Sequence, residues 1–238
     1  MKTKMELLKT EKYSFEDLKE IMRILRSENG CPWDREQTHK SIRNNFIEEV
    51  YEAVEAIDED DPELLKEELG DTLLQVVFHA QISEETGEFD MDGVCDEICR
   101  KLIIRHPHIF AGATADTSEQ VLSNWENIKI KEKGYTDTKE YIESVAKSLP
   151  ALMRAEKIQK RLIKRNVTEK PVFDDIIQKL KDDIFELENI KTTQSDICFD
   201  AIGRVLYDVV SLADGYNINP EQALYEFNKK MVKIMLKF

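Results

Sequence analysis

The chain has 238 residues, of which 48 are Asp or Glu and 34 are Lys or Arg, giving a formal net charge of −14. A surface this acidic lacks the dense basic patch that displaces counterions from DNA, so nucleic acid is not an expected partner. No apolar run approaches the roughly 18–20 residues that span a bilayer, and the charged first dozen residues lack the apolar core of a signal peptide. We therefore expect a cytoplasmic protein with no membrane partner.

Helices dominate the predicted structure of the first half. The chain has only 8 glycines and 6 prolines, too few turn residues for a β-rich fold. The sequence SFED, at 14–17, predicts a capping box that begins a helix, and Gly30 ends that helix. Residues 31–38 are predicted to form a loop. The spacing of apolar residues then predicts helices over 39–57, 62–85, 92–105 and 119–133.

The apolar stripe of the 62–85 helix includes Leu69 and Leu73, which are predicted to face inward. Gly70 lies beside them, and its lack of a side chain is expected to let two helices approach closely. These features predict that this helix packs against its neighbour. The fold class that follows is all-α.

The second half of the chain repeats the first. Its apolar spacing predicts helices over 151–164, 172–190, 196–214 and 220–236. The sequence EEVYE, which starts at 48, has a counterpart in DDIFE, 134 residues later, and ELGDTLL, which starts at 68, has one in AIGRVLY, 133 residues later. This nearly constant spacing predicts an internal repeat. We expect two tandem helical bundle domains, at 1–133 and 150–238, joined by a linker at 134–149.

Four carboxylates of the first half are predicted to converge. Glu49 and Glu52 lie three residues apart on one helix, and Glu68 and Asp71 lie three apart on the next. A short turn at 60–62 makes the two helices antiparallel neighbours. Confined carboxylates need a counter-charge, and hard oxygen ligands favour Mg²⁺ or Mn²⁺. In a chain that is 34% charged, the alternative is that each pair belongs to a solvated helix face.

The second copy keeps only part of this acidic pattern. Asp183 and Glu186 stand at two of the four positions, whereas Ala201 and Arg204 replace the other two carboxylates. Because the arginine adds a positive charge, a metal ion is not expected to bind there in the same way. We therefore expect the metal site in the first half. The second half then has a packing, dimerisation or regulatory role, or binds nucleotides weakly.

The acidic pattern and three further segments closely resemble those of one enzyme family. The segments are GCPWDREQTH at 30–39, RHPHIF at 105–110 and SLPALMRAEKIQK at 148–160. On these residues the chain is identified as a member of the MazG family, in the all-α nucleoside triphosphate pyrophosphohydrolase superfamily. The resemblance implies Mg²⁺-dependent hydrolysis of a nucleoside triphosphate to a monophosphate and pyrophosphate. It also implies incomplete helical bundles that are completed in a homodimer.

The resemblance assigns the metal-binding and catalytic roles residue by residue. The expected metal ligands are Glu49, Glu52, Glu68 and Asp71. Glu48 is the candidate that orients or deprotonates the attacking water. The alternative for Glu48 is that it holds the metal ligands in place.

Three further residues are candidates for substrate binding. Lys101 and Arg105 lie one helical turn apart and match basic phosphate-binding positions of the family. The alternative is that they only complement the dipole at the end of their helix. Trp33 is a candidate for stacking on the base, and the alternative is a structural anchor for its loop.

Two other functions are weighed against the hydrolysis of nucleoside triphosphates. The incomplete second copy raises the alternative of a non-catalytic nucleotide-sensing or protein-interaction module, against which the intact carboxylates of the first copy argue. The other alternative is a metal-dependent phosphohydrolase that acts on a dinucleotide or an alarmone. The reaction products separate the hypotheses: pyrophosphate with a monophosphate for the first, orthophosphate for a simple phosphatase, and none for a sensor.

Overall fold

The computed structural model describes residues 3–135, 137–190 and 195–236. Within these ranges the chain forms thirteen α-helices and no strand, which confirms the all-α prediction. The helices are α1 (Lys4–Leu8), α2 (Phe15–Arg26), α3 (Pro32–Glu36), α4 (Arg43–Asp58), α5 (Pro62–Thr86), α6 (Met91–Arg105), α7 (Pro107–Phe110), α8 (Ser118–Glu132), α9 (Thr138–Glu143), α10 (Ala151–Lys164), α11 (Phe173–Asn189), α12 (Ser195–Gly215) and α13 (Pro220–Met235). None of the described helices is long and apolar enough to cross a membrane.

The chain divides into two compact units, Met1–Trp125 and Glu126–Phe238. The predicted linker at 134–149, of which residue 136 lies outside the described residues, contains α9. Within α9, Tyr141 is only 2% exposed, and its hydroxyl donates a hydrogen bond to Glu126 at 2.7 Å. This segment is therefore packed into the second unit, while the domain boundaries at 133 and 150 stay a prediction.

The predicted capping box begins α2. The Ser14 hydroxyl accepts the Asp17 backbone N–H at 3.3 Å, and the Asp17 carboxylate accepts the Ser14 backbone N–H at 2.9 Å. The segment after α2 is not entirely a loop, because the short helix α3 forms where Pro32 provides a suitable first residue. The loop prediction is wrong at this point.

Arg26 of α2 connects the segment of α3 to α5. Its guanidinium donates to the backbone carbonyls of Asp34 and Gln37, and it pairs with Glu85 on α5 at 2.7 Å. The Arg26 side chain is only 5% exposed. An arginine so deeply buried fixes the loop by charge-assisted hydrogen bonds to two of its carbonyls.

The turn between α4 and α5 is set by local backbone chemistry. Asp60 adopts a left-handed conformation, with φ of 53°, which reverses the chain. The Asp61 carboxylate then accepts the backbone N–H groups of Glu63 and Leu64, at 3.0 Å each, and caps α5. Because the turn is this short, α4 and α5 form an antiparallel pair, as predicted.

Small residues on α4, rather than Gly70, accompany the close packing of this pair. Ala53 and Ala56 are both buried on α4, which packs mainly against α5. A Cβ atom added at Gly70 would meet no atom within 4 Å. The expected role of Gly70 in helix approach is therefore wrong. Leu69 and Leu73, predicted to face inward, are 54% and 38% exposed, so the apolar stripe of α5 is only partly covered.

The core of the first unit is built where α2 and α5 meet the start of α4. Its buried cluster consists of Met22, Ile42, Val77, Phe78 and Ile82. Burying a side chain of this kind stabilises the fold by about 1.5–3 kcal/mol. This core fixes the position of α5, and thereby the register of the acidic residues on it.

Substituting Gly30 tests the tight turn that follows α2. A Cβ atom at Gly30 would lie 2.2 Å from the carbonyl oxygen of Leu25 and 2.4 Å from that of Ile24. Because backbone atoms must move to relieve this overlap, we expect Gly30→Ala to lower the free energy of unfolding by about 2–4 kcal/mol in urea titrations. The matched control is Gly70→Ala, which should be neutral or stabilise by up to about 1 kcal/mol. Equal losses in the two variants would contradict this account.

Candidate metal centre

Three carboxylates meet between α4 and α5. Glu49 on α4 and both Glu68 and Asp71 on α5 each offer one oxygen atom, and these oxygens all lie within 4.8 Å of one another. Two ligands on opposite sides of a Mg²⁺ ion stand about 4.2 Å apart, since each metal–oxygen bond is about 2.1 Å. Small side-chain movements would therefore bring the three oxygens onto one ion. The donor set fits a hard divalent cation.

Glu52 extends the same cluster. Its carboxyl approaches those of Glu49 and Glu68 closely enough to share a hydrogen bond with each when one partner is protonated. It is more exposed than the other three. The four residues predicted as ligands thus lie together on the facing sides of α4 and α5.

The cluster carries unbalanced negative charge. Burial raises the pKa of Glu49 above its ordinary value, and the charges of Asp71 and Glu52 raise it further. Desolvation likewise raises the pKa of Glu68, and the charges of Glu52 and Asp71 raise it further. Among the described residues, no Lys, Arg or His forms an ion pair with any of the four carboxylates. A divalent cation would supply the missing counter-charge.

The pH dependence of the metal-free protein tests this repulsion. The pKa values of Glu49 and Glu68 are higher in the folded chain than their ordinary value of 4.5. As the pH falls from neutral to about 4.5, the folded state binds these protons before the unfolded state does. The free energy of unfolding therefore rises over this range. We expect Asp71→Asn, in EDTA at pH 7, to raise the melting temperature by about 2–4 °C by removing one of the like charges.

This gain should shrink as the pH approaches 4.5, because the raised pKa values of Glu49 and Glu68 mean that these two carboxyls lose their charge first in the parent protein. The control is Glu59→Gln, which removes one exposed charge outside the cluster and should leave the melting temperature nearly unchanged. A loss of stability for Asp71→Asn in EDTA would show that the carboxylates do not repel one another.

The other predicted site residues lie outside this contact cluster. Glu48 is exposed on α4, next to Glu49, and Trp33 is 57% exposed on α3. Lys101 pairs with Glu97 on its own helix at 2.5 Å. Arg105 is buried, with its guanidinium 4.9 Å from the centre of the Trp125 ring. In the described structure neither basic residue forms an ion pair with the acidic cluster, so their roles in phosphate binding stay predictions.

Known proteins are similar to this chain in the segment that carries the carboxylates and beyond it. The sequence profile of the MazG nucleotide pyrophosphohydrolase domain matches residues 37–110, which include all four carboxylates. A nucleoside triphosphate pyrophosphohydrolase of Escherichia coli is 40% identical over 214 residues, covering 88% of this chain and 81% of that protein. The chain belongs to the MazG family.

Two further relatives extend the comparison. The nucleoside triphosphate pyrophosphohydrolase/pyrophosphatase MazG of Thermotoga maritima is 39% identical over 219 residues, which cover 92% of this chain and 83% of that protein. An uncharacterised protein of Bacillus subtilis is 41% identical over 219 residues but is much longer, since the match covers 45% of it. The similarity to the first two spans both units, so the MazG relationship is not confined to the acidic site.

A polar row along α5 was missed by the sequence analysis of this MazG chain. Gln75, His79 and Ser83 follow Asp71 at four-residue steps, and all three are at least half buried. His39 joins the row: its Nδ1 lies 2.7 Å from Nδ1 of His79, and its Nε2 lies 3.2 Å from the Ser83 hydroxyl. Burial, and then His39, lower the pKa of His79. The four-residue spacing was the signal that could have revealed this row.

In the second half of the chain, an arginine lies beside the two carboxylates that the sequence analysis aligns with Glu49 and Glu52. Arg204 donates through Nη2 to Glu186 at 2.7 Å and through Nε to Asp183 at 3.4 Å. A guanidinium thus lies against the two carboxylates that the repeat retains. This internal ion pair gives a physical basis for the prediction that the second unit does not bind a metal as the first does.

Proposed function

We propose that the chain hydrolyses nucleoside triphosphates to a monophosphate and pyrophosphate at the acidic cluster of its first unit, with Mg²⁺ as the preferred ion and Mn²⁺ as an alternative. The observation that carries the proposal is the meeting of Glu49, Glu68 and Asp71 within 4.8 Å in the segment matched by the MazG profile. The names of the relatives from Escherichia coli and Thermotoga maritima support the same reaction. The chain would then be a hydrolase that acts on acid anhydrides.

The proposed mechanism divides the work between the carboxylates. Glu49, Glu52, Glu68 and Asp71 would hold the divalent ion. Bound there, the ion supplies neutralisation of phosphate charge and a lower pKa for the attacking water. Glu48 orients this water and accepts its proton. The water oxygen bonds to the α-phosphorus, the bond from that phosphorus to the bridging oxygen breaks, and pyrophosphate leaves.

The substrate-binding roles are compatible with the contacts that the two basic residues already make. Lys101 pairs with Glu97 at 2.5 Å, and because an ammonium carries three N–H donors, a polyphosphate could bind beside that partner. Arg105 lies over the Trp125 ring, and because the N–H groups of a guanidinium lie in its own plane, a phosphate contact would not require it to leave the ring. Trp33 already exposes its ring, which suits stacking on a nucleotide base.

We propose further that the protein is a cytoplasmic homodimer that binds neither nucleic acid nor membranes. The support is an apolar surface on the helices that carry the carboxylates. Its exposed members on α4 and α5 include Val50, Val54, Ile57, Leu69 and Leu73. Apolar stripes at helical spacing are normally covered, and a second copy would complete the four-helix packing of this half. Sedimentation should give twice the mass of one chain.

The product assay tests the proposed reaction. Canonical and altered nucleoside triphosphates are incubated with the protein, with Mg²⁺ or with EDTA, and the products are identified by chromatography. We expect equal amounts of pyrophosphate and monophosphate, formed only with the ion. Orthophosphate would instead support a simple phosphatase. No product from the dimeric protein would overturn the enzyme proposal and favour the nucleotide-sensing or interaction module.

A further inference from the structure

A cavity of about 240 Å³ opens in the second unit between α10, α11 and α12. Apolar side chains form part of its wall, among them Leu162, Ile163 and Ile176. Pockets for drug-sized ligands span about 300–1,000 Å³, so this one suits a smaller organic molecule. It lies wholly within the second unit and is separate from the acidic cluster on α4 and α5.

The internal repeat accounts for the cavity. The 133-residue spacing aligns Val77 of α5 with Val210 of α12, and both are buried, at 2% and 0% exposure. The next residue, Phe78, fills the core of the first unit, whereas its counterpart Ser211 lines the cavity. Protein interiors are close-packed, and an empty space left by a large apolar side chain costs stability. A cavity where the sister unit has a core residue therefore points to a ligand.

The wall of the cavity carries an excess of negative charge. Five carboxylates face two ammonium groups, which gives a net charge of −3. These residues are Glu156, Glu169, Asp175, Asp208 and Asp214, with Lys160 and Lys179. A phosphate group would be repelled from such a wall. The ligand is therefore not a nucleotide, and a positively charged molecule is favoured.

Both lysines of the wall are already neutralised by partners. Lys160 Nζ lies 2.6 Å from Glu156 and 3.3 Å from Asp214. Lys179 Nζ lies 2.7 Å from Asp208, whose side chain is only 6% exposed. An ammonium group of the chain itself thus pairs with a buried carboxylate at this wall.

Two carboxylates of the wall are left for an incoming charge. Among the described residues, neither Glu169 nor Asp175 forms an ion pair with a Lys, Arg or His. Both are exposed to solvent and line the cavity. A ligand with a short apolar body and an ammonium group could place its body against the apolar wall and its charge beside these two residues.

We propose that this cavity binds a small organic cation, namely an alkyl amine, with its ammonium group held by Asp175 and Glu169. The probe is 1,4-diaminobutane, titrated by calorimetry into the full-length chain at low ionic strength. We expect one site per chain with a Kd of about 1 mM or lower. The neutral analogue 1,4-butanediol should not bind, because it lacks the charge.

Three variants of the full-length chain locate the site. Ser211→Phe restores the residue of the first unit, and should weaken diamine binding at least about tenfold by filling the space while keeping or raising the melting temperature. Asp175→Asn should weaken binding at least about fivefold. The matched control is Asp174→Asn, which removes the same charge from the neighbouring exposed residue and should leave Kd within about twofold.

Equal affinities for Asp175→Asn and Asp174→Asn would overturn the proposal, as would the absence of diamine binding by the parent protein. Binding of 1,4-butanediol as tight as that of the diamine would overturn the charge argument. If Ser211→Phe does not fold, the two Asn variants still decide the outcome. A control titration of KCl at matching ionic strength gives the heat that is due to ionic strength alone, and this heat is subtracted from the diamine titration.

Discussion

Asp71→Asn should lower the rate of pyrophosphate release from nucleoside triphosphates by at least about 10³-fold. Asp71 lies within the group of three carboxylates on α4 and α5, and its charge is one of the largest acting on both Glu49 and Glu68. An amide is close in shape to the carboxylate but does not bring a negative charge to the ion. Both metal affinity and turnover should therefore fall, as measured by Mn²⁺ titration and by the product assay.

The matched variant for this test is Glu186→Gln. Glu186 stands at the equivalent of Glu52 in the second repeat, but it is paired with Arg204 at 2.7 Å. Its substitution should leave the rate within about twofold. A large loss of activity in Glu186→Gln, with Asp71→Asn still active, would move catalysis to the second unit and contradict the proposed function.

Arg204→Asp should give the second unit a metal site that it lacks. The substitution places a third carboxylate beside Asp183 and Glu186 and removes the guanidinium that now contacts both. Without a metal, repulsion among these carboxylates should lower the melting temperature by roughly 4 °C. Mn²⁺ should then restore it, and calorimetry should show about one additional ion per chain.

The control for this gain is Arg204→Gln. It removes the same guanidinium but supplies no carboxylate, so it should lower stability in the metal-free state without adding Mn²⁺ binding. If Arg204→Gln gains an ion as readily as Arg204→Asp, two carboxylates suffice, and the arginine itself excludes the metal. If neither variant gains an ion, features of the second unit other than the ligand residues prevent metal binding.

Long helices and the acidic cluster were predictable because both depend on local spacing. The capping box at Ser14 and the turn that begins α5 are set by side chains within three residues of the backbone groups they bind. Carboxylates three residues apart share a helix face whatever surrounds them. The pairing of α4 with α5 followed from the shortness of the turn between them.

Features that depend on distant residues were not predictable in this way. The short helix α3 is held by Arg26, whose guanidinium also reaches Glu85, 59 residues further along the chain. Close packing of α4 and α5 goes with buried alanines, whereas the glycine that suggested it faces open space. The contact of Arg105 with Trp125 likewise joins two different helices, α6 and α8, which lie 20 residues apart in sequence at these positions.

By itself the sequence indicated the all-α class and the four carboxylates that meet between α4 and α5, because periodicity and spacing along one helix fix which side chains share a face. The family followed from the resemblance of whole segments, and the internal repeat stays a prediction. Only the tertiary structure decided which charges are balanced. Among the described residues, it left the carboxylates around Glu49 without an ion pair, placed the guanidinium of Arg204 against Asp183 and Glu186, and opened a cavity at Ser211. Electrostatic balance and packing depend on atoms brought together by the fold, whose distances are not written in the order of residues.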